Sequence, residues 1–169
     1  MKIKIAGIEN DSIVDGPGIR LTVFTQGCPH NCDGCHNEST HDPDGGYEAE
    51  IKDILLMFDE NKLLSGLTLS GGEPFEQARQ CAYLASEIKL RGKNVITYTG
   101  YTFEFLFEKA KNDEAVLDLL KHTDLLIDGP FIKELKSLSL DFRGSRNQRI
   151  IDMEPSLTAG KAIICSKFK

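Results

Sequence analysis

Cys28, Cys32 and Cys35 lie within the stretch FTQGCPHNCDGCHN, residues 24–37, and account for three of the chain's five cysteines. Their C-x3-C-x2-C spacing admits three chemistries. A structural zinc site takes four protein ligands, so His36 or another residue would have to complete the tetrahedron, and the paired C-x2-C knuckles of strong zinc motifs are missing. Cys32 to His36 also reads C-x-x-C-H, the attachment pattern of c-type haem. That attachment normally happens outside the cytoplasm, and the N-terminal MKIKIAGIENDSIVDGPGIR has no apolar run of signal-peptide length. The third reading is a four-iron four-sulfur cluster held by three thiolates. It leaves one iron without a protein ligand, and an open iron is a place for a substrate to bind.

Composition sets the context for these thiols. With 169 residues, 40% of them hydrophobic and 27% charged, the chain has the size and core of one globular domain, expected to span residues 1–169. No segment approaches a membrane span, so a cytoplasmic location without membrane contact is expected. Thiols stay reduced there, which favours a metal or redox site over a disulfide framework. A net charge of -6 provides no broad basic field and argues against direct nucleic-acid binding. The remaining partners are a small molecule, another protein, or both.

The elements that must position the cysteines can be read from periodicity. Residues 19–25 (IRLTVFT), 67–70, 95–98 (VITY) and 124–127 (DLLI) are strand-like. Between them Ile51, Ile54, Leu55 and Phe58 form a helical stripe. Ala78, Cys81, Leu84, Ala85 and Ile88 form another that stops at Gly92. A third helical region runs from Phe103 to Lys121 with a break near Asn112. Beyond Phe131 only short apolar runs stand out, at 149–151 and 162–164. Alternating strands and helices predict an α/β fold with a mostly parallel sheet. Each chemically interesting cluster follows a strand: the cysteine loop, Ser70-Gly71-Gly72-Glu73-Pro74, Thr99-Gly100-Tyr101 and Asp128-Gly129-Pro130-Phe131. In parallel α/β folds the carboxyl ends of the strands build the ligand site, so these four clusters are expected to converge.

CPHNCDGC, followed a strand-helix-strand unit later by SGGEP, resembles the signature of the radical S-adenosylmethionine superfamily. The likeness extends to Asp15-Gly16-Pro17-Gly18-Ile19-Arg20, Thr99-Gly100-Tyr101, 126–131 and 142–149. Over about residues 15–151 it is to the family of anaerobic ribonucleoside-triphosphate reductase activating proteins. The resemblance implies one 4Fe-4S cluster on Cys28, Cys32 and Cys35, the catalytic centre, with S-adenosylmethionine chelated at the open iron. It implies further that Gly71, Gly72 and Glu73 contact the amino end of S-adenosylmethionine, and that Asp128 lies beside it. Many superfamily members carry an aromatic residue before the third cysteine. Here Gly34 stands there, so the backbone of Gly34, Cys35 and His36 is left to hydrogen-bond the adenine. Electron transfer from a low-potential donor would break a carbon–sulfur bond and leave a 5'-deoxyadenosyl radical, which removes hydrogen from a backbone glycine of the reductase.

The remaining residues carry plainer expectations. Cys81 reads as a core side chain and Cys165 as buried or mobile; His30, His41 and His122 have no constellation around them. Arg143, Arg146 and Arg149 form a local basic patch, available for salt bridges or for docking the reductase. A bulky residue at Gly72 is expected to crowd the cofactor while leaving the cluster assembled. A full eight-unit barrel takes about 250 residues, so this chain is expected to form an incomplete (β/α) barrel of the radical S-adenosylmethionine type. Its open side would admit a protein loop, whereas a small-molecule enzyme needs walls that exclude water. The alternatives are a small-molecule radical enzyme and a zinc-stabilised interaction module.

Overall fold

In a computed structural model describing residues 1–169, the chain forms one seven-stranded sheet. Its strands are β1 (Lys2–Ser12), β2 (Arg20–Thr25), β3 (Tyr47–Glu50), β4 (Gly66–Gly71), β5 (Asn94–Tyr98), β6 (Leu125–Asp128) and β7 (Arg149–Asp152), in the order β3-β1-β2-β4-β5-β6-β7. The central strands β2, β4, β5 and β6 run parallel. β1 and β3 extend one edge antiparallel, and β7 extends the other. The sheet is mixed and open, with β3 and β7 as free edges, in keeping with an incomplete barrel. The strands and helices read from periodicity are all present; β1, β3 and the last helix are additions to that expectation.

Five helices accompany the strands: α1 (Ile51–Glu60), α2 (Ala78–Leu90), α3 (Phe103–Lys109), α4 (Glu114–His122) and α5 (Met153–Ala159). The α1 and α2 stripes are buried as their spacing requires. α2 stops at Gly92, whose φ of +72° lets its amide and that of Lys93 return to the carbonyls of Lys89 and Ile88. The break near Asn112 has a local cause: Asp113 starts α4 by accepting the amide of Val116 at 3.2 Å.

Side-chain alternation assigns the two faces of the sheet. Leu21, Leu67 and Val95 lie in register, as do Val23 and Leu69, and this face joins the helices in a core of 28 buried residues. The opposite face is polar along β2 and β4, with Arg20, Thr22, Thr68 and Ser70. Along β5 to β7 it is apolar, where Ile96, Ile127 and Ile150 meet Cys165 and Phe168. Arg20 is fully buried and donates to Thr68 Oγ1 and to the carbonyl of Leu67, both at 2.7 Å, and to Pro17 at 3.2 Å. Burial lowers its pKa to about 10. It remains a cation at neutral pH and holds the turn that precedes β2 against the strands through the Pro17 carbonyl.

The expected basic patch is split by the fold. Arg143 donates to the carbonyls of Asp141 and Gln148, and Arg146 is exposed. Arg149 instead clasps Asp128 at 2.9 and 2.5 Å and Glu104 at 3.1 and 2.7 Å, joining β7, β6 and the first turn of α3. Removing the cation leaves Asp128, 1% exposed, as a buried carboxylate whose remaining donor is the Phe103 amide. Arg149→Met is therefore expected to cost about 2–4 kcal/mol and lower Tm by roughly 5–15 °C in a thermal melt, with Asp128→Asn restoring part of the loss. An unchanged Tm would mean that the clasp contributes nothing.

Candidate functional site

The four strand-end clusters do converge. One cavity of about 130 Å³ is lined by Cys28, His30, Cys32 and Cys35 after β2, by Ser70, Gly71 and Gly72 at the end of β4, by Tyr98, Thr99 and Gly100 after β5, and by Gly129 and Phe131 after β6. It shares Cys35, Ser70, Tyr98, Phe131 and Gln148 with an adjoining cleft of about 550 Å³ that reaches His36, Val14, Leu138 and Phe142. A cleft of that size is ample for a small cofactor. Another of about 590 Å³, by Asn94, Lys121 and Asp124, lies at the opposite ends of the strands and includes, of the motif residues, only Pro17.

The cysteine loop is held at its root by backbone bonds. Gly27 and Cys28 donate to the carbonyls of Thr40 and His41 at 2.7 and 3.2 Å, and the buried Gln26 amide donates to Ser39 and Asp42 at 3.0 and 2.7 Å. Further on, the Cys35 amide turns back to Cys32, and the Asn37 amide donates to Cys35 Sγ at 3.4 Å. Gly34 is exposed with φ +74°, close to Phe131, and His36 pairs with the Phe131 ring at 5.6 Å. All five cysteines are free thiols; Cys28, Cys32 and Cys35 are half-buried, while Cys81 and Cys165 are buried elsewhere. Burial pushes the Cys28 thiol up to about 11 and raises Cys35 as well. These groups therefore become thiolates when a metal takes the place of the proton.

This donor set fits a 4Fe-4S cluster: three thiols edge one cavity, with a free face toward the adjoining cleft. A 4Fe-4S cluster takes each thiolate on a separate iron, and the three thiols line one cavity.

The SGGEP turn lies directly against the loop. The amides of Gly72 and Glu73 donate to the carbonyls of Thr25 and Gly27 at 2.7 and 2.8 Å. Glu73 is fully buried, and its carboxylate accepts from Phe75 N at 3.0 Å, Thr99 Oγ1 at 2.9 and 3.0 Å, and Gly100 N at 2.9 Å. Its fourth partner is His30 Nε2, at 2.6 Å. This corrects the expectation that His30 stands alone; its partner is 43 residues away and becomes a neighbour only through the β2–β4 pairing. His41 contributes a carbonyl and also borders the cavity, and His122 bonds within its own helix.

Among the other expected residues, Gly71 and Gly72 line the cavity and His36 lines the adjoining cleft, while Gly34 lines neither and is exposed beside Phe131 and Lys133. Asp128 has its carboxylate turned to Arg149 and to the Phe103 amide, at 2.7 Å, so β6 offers the cavity Gly129 and Phe131 instead. Gln148 is an addition: its Oε1 accepts from Gly144 and Ser145, its Nε2 donates to Gly129 at 3.1 Å, and it borders both spaces.

The 4Fe-4S single cluster domain family matches residues 14–151. The anaerobic ribonucleoside-triphosphate reductase-activating protein of Vibrio cholerae is 38% identical over 146 residues, covering 82% of this chain and 90% of the relative. The protein of the same name from phage T4 is 36% identical over 143 residues (81% and 86%), and that of Escherichia coli K12 is 33% identical over 144 residues (80% and 90%). Among solved structures, QueE from Escherichia coli has a TM-score of 0.48 and 17% identity, over 60% of this chain and 53% of its own. With its cluster domain matched over most of its length and relatives aligned nearly end to end, the chain belongs to the anaerobic ribonucleoside-triphosphate reductase-activating proteins.

Proposed function

We propose that this chain activates an anaerobic ribonucleoside-triphosphate reductase by installing a glycyl radical on it. The reading rests above all on one observation: three free thiols, two cavity-facing glycines and an adjoining cleft share the carboxyl end of the parallel strands. When bound, the cluster and S-adenosylmethionine supply the electron and the carbon–sulfur bond from which a 5'-deoxyadenosyl radical is released.

The chain's own groups hold and orient. Cys28, Cys32 and Cys35 provide the thiolates. Gly71 and Gly72 expose bare backbone to the methionine end of the cofactor, and the backbone of Gly34, Cys35 and His36 serves the adenine. The carboxylate of Glu73 is filled by protein donors, so it acts by fixing Gly100 and the SGGEP turn. Asp128 supports Gly129 by anchoring the end of β6. The open sheet leaves the cleft accessible to a partner's glycine-bearing loop, and the electron comes from a separate low-potential donor in the cytoplasm. No helix is long and apolar enough to cross a membrane.

Isotope transfer tests this function. With a partner reductase deuterated at glycine Cα, the 5'-deoxyadenosine released is expected to carry deuterium while the partner gains a glycyl radical. Both signals should vanish when the target glycine is alanine, since abstraction requires close approach and alignment. Unlabelled product with full radical formation would contradict direct abstraction. Release of 5'-deoxyadenosine that never depends on any glycyl-radical partner would favour a small-molecule enzyme.

A further inference from the structure

We propose that His30 is a positioning residue of the cofactor site, tying the cysteine loop to the SGGEP turn through the buried carboxylate of Glu73. The inference rests on reading this cavity as the S-adenosylmethionine site and names a residue on which the geometry of that site depends.

A carboxylate can only accept, so His30 Nε2 donates to Glu73 Oε2 across 2.6 Å. The other donors to Glu73 come from its own turn and from the end of β5. The backbone bond between turn and loop stops at Gly27, ahead of the first cysteine. Past Cys28, the loop's further side-chain links to the body are an exposed Asp33–Lys133 pair at 3.8 Å and ring contacts. His30 thus supplies the least exposed side-chain hydrogen bond from within the ligand-bearing segment to the body of the protein, a part-buried one.

The fold makes room for this ring. A Cβ on Gly100 would lie 2.4 Å from His30 Cδ2, so a glycine is needed beside the imidazole. Tyr101 meets the ring edge-on at 4.5 Å, and its own hydroxyl donates to Glu76 at 2.5 Å. One side chain therefore joins the loops that follow β2, β4 and β5. Nε2 is committed to Glu73 while the ring borders the same cavity as the three thiols. Together with the Gly72–Thr25 and Glu73–Gly27 backbone bonds, the His–carboxylate bond sets the spacing between thiolates and the glycine backbone, which makes His30 a determinant of how S-adenosylmethionine seats.

The test compares wild type, His30→Leu and His30→Gln as full chains reconstituted with iron and sulfide; the glutamine amide retains a donor at similar reach. Without S-adenosylmethionine, hydrogen–deuterium exchange of peptides covering 72–76 and 99–101 should be roughly tenfold faster in His30→Leu and near wild type in His30→Gln, as expected for a lost bond to a charged group. In reductive cleavage without a partner, KM for S-adenosylmethionine should rise about tenfold in His30→Leu with a smaller change in kcat, and His30→Gln should recover most of it. Iron loss confined to His30→Leu, with His30→Gln loaded and slow to exchange, also supports the tie. Equal behaviour of leucine and glutamine variants, unchanged exchange in His30→Leu, or iron loss in both would overturn it. If wild type itself releases no 5'-deoxyadenosine, the functional reading fails, while the exchange comparison still decides the tie.

Discussion

Serine at Cys28, Cys32 or Cys35 is expected to remove the cluster's iron and visible absorbance, and with them all cleavage of S-adenosylmethionine, whereas alanine at Cys81 or Cys165 keeps both. The first three thiols edge one cavity, and a cluster held by three thiolates has no spare ligand. Cys81 lies on the buried stripe of α2, and Cys165 packs with Ile96, Ile127 and Ile150 on the other face of the sheet. Burial keeps the Cys81 thiol protonated far above neutral pH. Losing its sulfur costs on the order of 1 kcal/mol of packing and no ligand. Iron content, absorbance and turnover of the five single variants decide the matter. A cluster that survives loss of one of the three, or fails without Cys81, means the ligands have been misassigned.

The parts of this molecule that were legible in the sequence share a physical cause. Central strands such as LTVF and VITY are buried on both faces and therefore read as apolar, β-branched runs. β3, Tyr47–Glu50, is half charged and pairs only with β1 at an edge, so no pattern marks it. β1 begins with period two, buried Ile3 and Ile5 alternating with Lys2 and Lys4, but register shifts after Ile5 and Glu9 interrupt the signal. The seven residues of α5 are too few to show a stripe.

The site divides along the same line. The cysteines, SGGEP and the glycine turns were legible because each follows a strand and carries its chemistry locally. His30 and Gln26 were not, since their partners lie 43 and 13–16 residues away and are assembled only by the fold. Asp128 illustrates a signal that alternation does contain. Leu126 belongs to the helix-covered core, so a side chain two residues later points to that same face, toward α3 and Arg149.

Gly72→Ala should empty the site of iron as well as weaken S-adenosylmethionine binding, a larger effect than crowding of the cofactor alone. A Cβ there would stand 2.4 Å from the carbonyl oxygen of Gly27 and 2.9 Å from that of Thr25, so the first atom it meets is the root of the cysteine loop. Neither side yields easily, because those same carbonyls accept the amides of Glu73 and Gly72 at 2.8 and 2.7 Å. Relieving the overlap costs ~1–3 kcal/mol of strain, or breaks bonds worth ~1 kcal/mol each, and either way displaces Cys28 from its companions. Gly92→Ala is the control. Nothing lies within 4 Å of its Cβ, and its φ of +72° alone makes the change unfavourable, so it should lose about 1 kcal/mol of stability and keep its iron. Iron content after reconstitution separates the two variants. A Gly72→Ala protein with a full cluster and only a raised KM for S-adenosylmethionine would return Gly72 to a purely cofactor-facing role and leave the loop's position to Gln26 and His30.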